Sequence, residues 1–248
     1  ETIAYNLSRG EGYATPVAQP KPTAMVVPGT SLTLLPVYLI FGRSYAVGRI
    51  WFCTLSALTC LVVALIVRPY FGRIAGLLAA FMLAIYPNHF YYAMHFVTET
   101  PYAFYLSLGI FGTFLSFRKP SLKTDLLAGF FWGAATLTRS QITLMIPLAF
   151  LAILLSRKDR FRYLRQWGVQ MAVVVLILTP WLVRNAIVIG SPTLSTFSGH
   201  TFWAAHNNLI FDDPAYRSFR GGCLVEDFNR LLEKQPLVGD TLLERDRM

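Results

Sequence analysis

The sequence predicts an all-α fold, a polytopic bundle of membrane helices, and three observations support that prediction. Of the 248 residues, 54% are hydrophobic and only 14% are charged, with a mean hydropathy of +0.48. Apolar runs of bilayer length recur along the chain, and basic residues concentrate in the short connectors between them. This composition is too apolar for an ordinary soluble domain and is typical of a protein that crosses the membrane several times.

The net charge of +9 has a distribution that excludes a nucleic-acid partner and indicates membrane lipids instead. A nucleic-acid role needs a basic face on a folded soluble module, and the sequence offers none. Basic residues in alternate short connectors are the signature of loops that stay in the cytoplasm. Ten of the 22 basic residues lie in three such connectors: Arg68 and Arg73; Arg118, Lys119 and Lys123; and Arg157, Lys158, Arg160, Arg162 and Arg165.

Residues 1–48 are predicted to form an external loop with an interfacial helix. Glycine and proline recur through this segment and interrupt any long helix. The run 30–41 is an apolar stretch of about 12 residues, too short to cross a hydrocarbon core of roughly 30 Å, so we expect it to lie against the membrane surface. The chain begins at Glu1 without a methionine or a signal peptide, and we therefore expect it to be a fragment of a longer protein.

Residues 49–190 are predicted to form a bundle of about six spans. Their alternation places both chain ends on the non-cytoplasmic side. Residues 191–248 are polar and are predicted to form an external tail, which we expect to be truncated. The predicted spans are 50–67, 74–86, 100–117, 126–138, 142–155 and 169–189.

The segment 86–102 carries the most unusual composition, because two histidines and a glutamate lie among aromatic residues between two apolar runs. With the predicted topology, it faces the same side as the polar residues near the ends of the fourth, fifth and sixth spans. One interpretation is an aromatic belt with a solvated carboxylate, and arginines that reach to lipid headgroups or cap a span. The other is a site. In that case Glu99 and Arg139 are the predicted catalytic residues, and the predicted substrate-binding residues are His89, His95, Arg184, Asn185, His200 and Asn207.

The residue types in this segment suit one kind of ligand. The planar guanidinium of an arginine matches phosphate oxygens in fork geometry. Carboxylate and imidazole groups act as acid, base or metal ligand. Aromatic rings suit the apolar face of a sugar or an isoprenoid chain. A sugar joined through phosphate to a long lipid needs all three at the membrane surface.

Several motifs then give a family resemblance. The chain resembles the lipid-linked-sugar glycosyltransferases of the GT-C class, in particular bacterial members of the family of dolichyl-phosphate-mannose–protein mannosyltransferases and lipid A aminoarabinose transferases. The resemblance covers essentially the whole chain, and the order and spacing of the motifs carry it. They are the stretch 4–13, Pro28-Gly29 before an apolar helix that ends in Phe41-Gly42, Tyr86-Pro87 with Thr98-Glu99, Leu137-Thr138-Arg139, and the stretch 180–185 followed by Gly190.

The resemblance implies transfer of a sugar from a polyprenyl-phosphate carrier to a lipid, glycan or protein acceptor outside the cytoplasm, with inversion at the anomeric carbon. In a cell with an inner membrane, we expect the protein to cross it several times. The resemblance also implies that an acid in the first external loop is the general base. That acid is expected upstream of Glu1, so the fragment alone is expected to be inactive.

The chemistry of the candidate residues suggests their roles but leaves more than one role open for some of them. Arg139 or Arg184 would stabilise the phosphate leaving group. Glu99 could bind a sugar hydroxyl, orient a basic partner, or ligate a divalent metal with His95; no cofactor is required by the sequence. His200 and Asn207 would line the acceptor side. The competing functions are a transporter or lipid flippase, which would place ionisable groups near mid-span, and a ligase or polymerase of lipid-linked glycans.

Overall fold

The computed structural model describes residues 1–144, 148, 151, 155 and 159–197, and the described part is almost entirely helical. This confirms the predicted all-α class. Two strands of two residues, β1 (Ala14–Thr15) and β2 (Lys21–Pro22), form the small sheet in this part of the chain, and a 3₁₀ helix covers Ser140–Leu144. The α-helices are α1 (Thr2–Ser8), α2 (Gly29–Phe41), α3 (Tyr45–Ala84), α4 (Pro87–Ala93), α5 (Glu99–Arg118), α6 (Leu122–Thr138) and α7 (Arg160–Val188).

The chain divides into two units, which are described separately. The first comprises Glu1–Lys21 with Val27–Trp181, and the second comprises Pro22–Val26 with the described residues from Leu182 onward. Among the described helices, α3 and α7 are long and apolar enough to cross a membrane. Large apolar side chains on their outer faces remain exposed, as for Ile74 (76%) and Leu176 (70%). Such faces are typical of contact with lipid.

Helix α3 is two helical segments joined by a sharp turn at Gly72. This glycine has φ 86° and ψ 173°, a backbone conformation that side-chain-bearing residues rarely adopt. A Cβ placed on Gly76 would lie 2.8 Å from the carbonyl oxygen of Ala64, although these residues would be about 18 Å apart along a straight helix. The chain therefore folds back on itself at Gly72. The turn lies between the predicted spans 50–67 and 74–86, beside Arg68 and Arg73.

A separate short helix follows the turned-back segment. This helix, α4, begins at Pro87 after extended backbone at Tyr86, directly beyond the predicted second span. Proline is well suited to the first helical position because it has no N–H to leave unsatisfied there. The Sγ of Cys53 lies 3.6 Å from the carbonyl oxygen of Ala93, so α4 packs against the first segment of α3.

Helices α5, α6 and α7 pack closely because small residues line their contacts. A Cβ on Gly112 of α5 would lie 3.0 Å from the Cα of Ala128 of α6. On another face of α6, a Cβ on Gly129 would lie 2.7 Å from the backbone oxygen of Gln170 of α7. Small residues allow helix backbones to approach in membranes, where the hydrophobic effect does not drive association. The packing fixes the direction in which α6 ends, one residue before Arg139.

Helix α1 and the loop after it are held by a buried asparagine. Asn6 is fully buried, and its Nδ2 donates to the carbonyl oxygens of Ala14 (2.8 Å) and Pro16 (3.4 Å). Ala4 on the same helix belongs to an apolar core with Leu34, Val37, Tyr38 and Phe52. Asn6 therefore has a structural role, which accounts for one residue of the 4–13 motif.

The fifth predicted span, 142–155, starts differently from the prediction. Its first residues belong to the 3₁₀ helix Ser140–Leu144, and most of the remainder lies outside the described residues. The predicted boundaries 1–48, 49–190 and 191–248, and the count of six spans, stay predictions.

Candidate functional site

The two residues predicted to be catalytic lie at the ends of neighbouring helices. Glu99 is the first residue of α5, and Arg139 directly follows the last residue of α6. The backbone of Arg139 is extended (φ −146°, ψ 114°), so the helix ends there while its N–H still donates to the carbonyl oxygen of Ala135 at 2.9 Å. Since α5 and α6 are joined by a short connector at their other ends, the start of α5 and the end of α6 come together.

Glu99 and Arg139 form an ion pair. The Nη1 of Arg139 lies 2.5 Å from the Oε1 of Glu99, and the two side chains are 29% and 34% exposed for Arg139 and Glu99 respectively. Thr98 donates from its Oγ1 to Glu99 Oε2 at 3.3 Å and lies 3.5 Å from Arg139 Nη1. The Nε of Arg139 donates to Gln141 Oε1 at 2.9 Å. The guanidinium is thus held from two directions and remains partly open to a ligand.

The pair lies beside an aromatic ring and close to the point where two helix ends meet. The guanidinium carbon of Arg139 lies 5.9 Å from the centre of the Tyr102 ring. Helix α2 begins beside the end of α6, because a Cβ on Gly29 would contact Thr138 and lie 2.6 Å from the Leu137 carbonyl oxygen. The first turn of α2 has neither an acidic residue nor a side-chain cap. Its N-terminal dipole therefore faces the C-terminal dipole of α6, and the two opposite helix ends offset each other beside Arg139.

The structure places His95 in the same loop but pairs it with another residue. Its Nδ1 lies 2.8 Å from the carbonyl oxygen of Tyr91, and the two rings lie 4.4 Å apart between centres. His95 is exposed, four residues before Glu99 in the chain. Within residues 1–144 and 159–197, no three His, Cys, Asp or Glu side chains gather as a metal-binding group.

The imidazole of His89 contacts helix α3. Its Nε2 lies 2.7 Å from the Oγ of Ser56, 3.4 Å from the backbone oxygen of the same residue, and 3.7 Å from the Sγ of Cys60. Ser56 is buried on α3, whereas His89 is on α4. This contact joins α4 to α3, a structural role beside the predicted role in substrate binding.

We therefore expect His89→Ala to lower stability more than activity. Loss of the bond leaves the buried Ser56 hydroxyl without its imidazole partner, which costs about 1–2 kcal/mol in a membrane protein. Thermal unfolding in detergent should show a lower midpoint for this variant, while Asn88→Ala, at the exposed neighbouring position, should leave the midpoint unchanged. An unchanged midpoint with lost sugar transfer would instead place His89 at the substrate.

Arg184 and Asn185 organise the second unit. Arg184 Nη1 donates to the carbonyl oxygen of Thr23 (2.6 Å) and to Asn185 Oδ1 (2.8 Å). Asn185 is fully buried, and its Nδ2 donates to the carbonyl oxygen of Thr193 at 2.7 Å. These contacts join the segment 22–26 and the segment after α7 to the helix end. Their predicted role in substrate binding stays a prediction.

The structure describes the carboxylate of Glu1 but not two of the predicted substrate-binding residues. His200 and Asn207 lie outside the described residues. Glu1 accepts hydrogen bonds from Arg43 Nε (2.8 Å), Arg43 Nη2 (3.0 Å) and Tyr38 OH (3.1 Å). Burial alone would raise the pKa of the Glu1 carboxyl, but these hydrogen bonds and the charge of Arg43 together lower it. The Glu1 carboxylate is therefore committed to an ion pair that joins α1 to the end of α2.

Sequence reasoning missed three residues of the pair's surroundings: Thr98, Tyr102 and Gln141. Thr98 and Tyr102 flank Glu99 within the unusual segment, and Gln141 follows Arg139 by two positions. Their closeness in sequence to Glu99 or Arg139 could have identified them as neighbours of the pair. The sequence does not show that the backbone of Arg139 is extended, or that Gln141 accepts a hydrogen bond from its guanidinium.

The fold and the site together define an all-α membrane protein in which two helix ends present a half-buried arginine–glutamate pair. The comparisons with known proteins then identify the family. The sequence pattern of the dolichyl-phosphate-mannose-protein mannosyltransferase family matches residues 23–183, and the chain belongs to this family. Membership implies a GT-C glycosyltransferase that uses polyprenyl-phosphate sugars. Neither the curated proteins nor the solved structures gave a match.

Proposed function

We propose that the protein transfers a sugar from a polyprenyl-phosphate carrier to a lipid, glycan or protein acceptor on the non-cytoplasmic side of the plasma membrane (the inner membrane where there are two). The Glu99–Arg139 ion pair is the observation that carries this proposal, because it presents a guanidinium at the ends of two helices. Family membership supports the type of reaction, and the ion pair offers a binding position for the phosphate of the donor.

Arg139 binds the donor phosphate and stabilises it as the leaving group. When an acceptor hydroxyl attacks the anomeric carbon, its proton passes to the general base that the family resemblance implies. The bond from the anomeric carbon to the phosphate oxygen breaks, and negative charge increases on the departing polyprenyl phosphate. A guanidinium fixed before the reaction stabilises this charge without reorganising. The side chain is 29% exposed, so part of its donor edge is accessible to the phosphate.

Glu99 acts through Arg139 as a positioning residue. Its Oε1 accepts from Nη1, while Gln141 accepts from Nε, so the two partners fix the plane of the guanidinium. Thr98 in turn donates to the second oxygen of Glu99. Of the three roles left open by the sequence, orienting a basic partner has the direct contact in its favour. The predicted contacts with the sugar or the acceptor remain part of the proposal for His89, His95, Arg184, Asn185, His200 and Asn207.

The non-cytoplasmic location of the site has support from α5. This helix has 20 residues, so its ends are separated by about 30 Å, which is close to the thickness of a hydrocarbon core. Glu99 is at one end and Arg118 at the other, next to Lys119. Because basic connectors favour the cytoplasm, Glu99 is assigned to the opposite face.

The proposal is tested by giving the full-length protein a labelled donor. Purified protein in lipid nanodiscs should transfer a labelled hexose or aminopentose from polyprenyl phosphate to an acceptor in a membrane extract. It should not transfer the same sugar from a nucleotide carrier. In sealed vesicles, transfer should require the donor on the non-cytoplasmic face.

Each part of the proposal has its own contradicting result. Transfer from the nucleotide sugar alone would overturn the choice of donor. Transfer only from the cytoplasmic face would overturn the orientation. Movement of the labelled lipid across the vesicle membrane without transfer, by protein that unfolds cooperatively on heating, would favour the flippase alternative.

A further inference from the structure

Three basic connectors meet at one end of the first unit. Arg162, in the first turn of α7, lies with its Nη2 3.4 Å from the carbonyl oxygen of Phe117, and the rings of Phe117 and Tyr163 lie 4.6 Å apart. The end of α5 therefore contacts the start of α7. On its other side, the end of α5 contacts the turn in α3, because the guanidinium carbon of Arg118 lies 5.1 Å from the centre of the Tyr70 ring.

Arg118 is held in place but exposed. Tyr70 is fixed by Phe114, one helical turn before Arg118, with ring centres 5.6 Å apart. The Tyr70 ring in turn lies against the guanidinium of Arg118, an arrangement that attracts the cation and orients its plane. Arg118 is exposed at the last position of α5, and Tyr70 is 53% exposed. The edge of the guanidinium that carries its donors thus remains available to an anion.

The basic cluster has few acids to neutralise it. In the described part of the chain, Asp125 is buried and accepts a hydrogen bond from Ser116, and Asp159 lies 3.5 Å from Arg162. Neither carboxylate forms an ion pair with Arg118. The exposed cations of the described connectors are Arg68, Arg73, Arg118, Lys119, Lys123, Arg160, Arg162 and Arg165.

Apolar side chains beside the cluster indicate a lipid as the ligand. Phe71 and Ile74, on either side of the Gly72 turn, are both 76% exposed, and Leu122 at the start of α6 is 64% exposed. A free phosphate would use only the cations. A phospholipid would place its headgroup on the cations and its acyl chains along these apolar residues, and basic pockets between membrane helices are known to bind anionic lipids in this way.

We propose that Arg118, stacked on Tyr70 and followed directly by Lys119, binds the phosphate headgroup of an anionic phospholipid. The fork of the guanidinium accommodates two phosphate oxygens, and the neighbouring cations complement the remaining negative charge. This site is at the opposite end of α5 from Glu99 and is independent of sugar transfer. It would anchor the α3 turn and the α5–α6 connector to one leaflet.

The test measures which lipid stays bound to the purified full-length protein. The protein is exchanged into neutral detergent with equal amounts of phosphatidylglycerol and phosphatidylcholine, and retained lipid is counted by native mass spectrometry. Wild-type protein should retain phosphatidylglycerol preferentially. Arg118→Gln should reduce that preference about fivefold. Tyr70→Leu should reduce it as well, although it removes no charge. Arg118→Lys, which keeps the charge but not the planar fork, should be intermediate.

Lys123→Gln is the matched control, because it removes one exposed charge from the same connector. Its effect should stay below about twofold, since a solvated charge at a distance is screened. Equal losses for Lys123→Gln and Arg118→Gln would overturn the site in favour of diffuse attraction, as would wild-type behaviour of Tyr70→Leu. Displacement of the lipid by millimolar inorganic phosphate would also overturn it. Thermal unfolding of each variant establishes that the protein is folded.

Discussion

Replacing Arg139 with glutamine is expected to reduce kcat for sugar transfer by about 100- to 1000-fold, the usual effect of removing one donor that stabilises a developing oxyanion. The reason is the position of the guanidinium, fixed by Glu99 on one side and Gln141 on the other. Arg139→Lys should recover only part of the loss, because an ammonium lacks the planar fork that binds two phosphate oxygens. The measurement is steady-state transfer from a labelled polyprenyl-phosphate sugar.

Glu99→Gln is expected to reduce kcat less, by about 10- to 100-fold, because the arginine remains and loses only its orientation. The double variant Glu99→Gln with Arg139→Gln should then be no worse than Arg139→Gln alone. Such non-additivity is the signature of two residues that act as a unit. If the double variant shows the product of the two losses, Glu99 contacts the substrate independently.

The control for both variants is an ion pair elsewhere on the chain. Arg162→Gln removes the exposed pair with Asp159 and should leave kcat unchanged. A rise in KM for Arg139→Gln with unchanged kcat would mean that Arg139 binds the donor equally in the ground state and the transition state. Unchanged kcat and KM in both Glu99 and Arg139 variants would remove the pair from the reaction.

The helices were predictable from sequence because hydropathy and helix-end residues act locally. The apolar run 30–41 became α2, and Pro87 and Pro101 lie in the first turns of α4 and α5. The basic residues near Gly72 mark a turn that proved sharp enough to reverse the chain. The 3₁₀ helix at Ser140–Leu144 was not predictable, because the run that follows Arg139 is as apolar as a span.

Of the residues around the Glu99–Arg139 ion pair, the sequence singled out only the two charged members as candidates, and their role in a site stays a prediction. Glu99 and Arg139 are out of place in apolar surroundings, so their side chains require polar partners, and the structure pairs them with each other. His89 was a candidate for the same reason, but its partner is Ser56, a residue within an apolar run. Arg184 and Asn185 bind backbone carbonyl oxygens, and no sequence pattern marks such acceptors. The residue type shows that a buried side chain needs a polar partner. The packing of the helices decides which residue becomes that partner.

The largest loss of stability is expected from a substitution at the close contact between α6 and α7. Gly129→Val should destabilise the protein by about 3 kcal/mol or more, because overpacking a tight contact forces the backbone to move. A Cβ on Gly129 would lie 2.7 Å from the Gln170 backbone oxygen and 2.8 Å from the Cβ of Val173. Neither atom is the end of a flexible side chain, so α6 and α7 must separate.

Gly168→Ala is the matched control, because it also replaces a glycine in one of these two helices. Gly168 lies within α7, and no atom lies within 4 Å of a Cβ placed on it, so alanine should be neutral or stabilise the helix by up to about 1 kcal/mol. Unfolding midpoints in detergent and the yield of monodisperse protein measure both variants. Because α6 leads directly to Arg139, any Gly129→Val protein that folds should also lose sugar transfer. A midpoint for Gly129→Val equal to that of Gly168→Ala would show that α6 and α7 do not meet at Gly129.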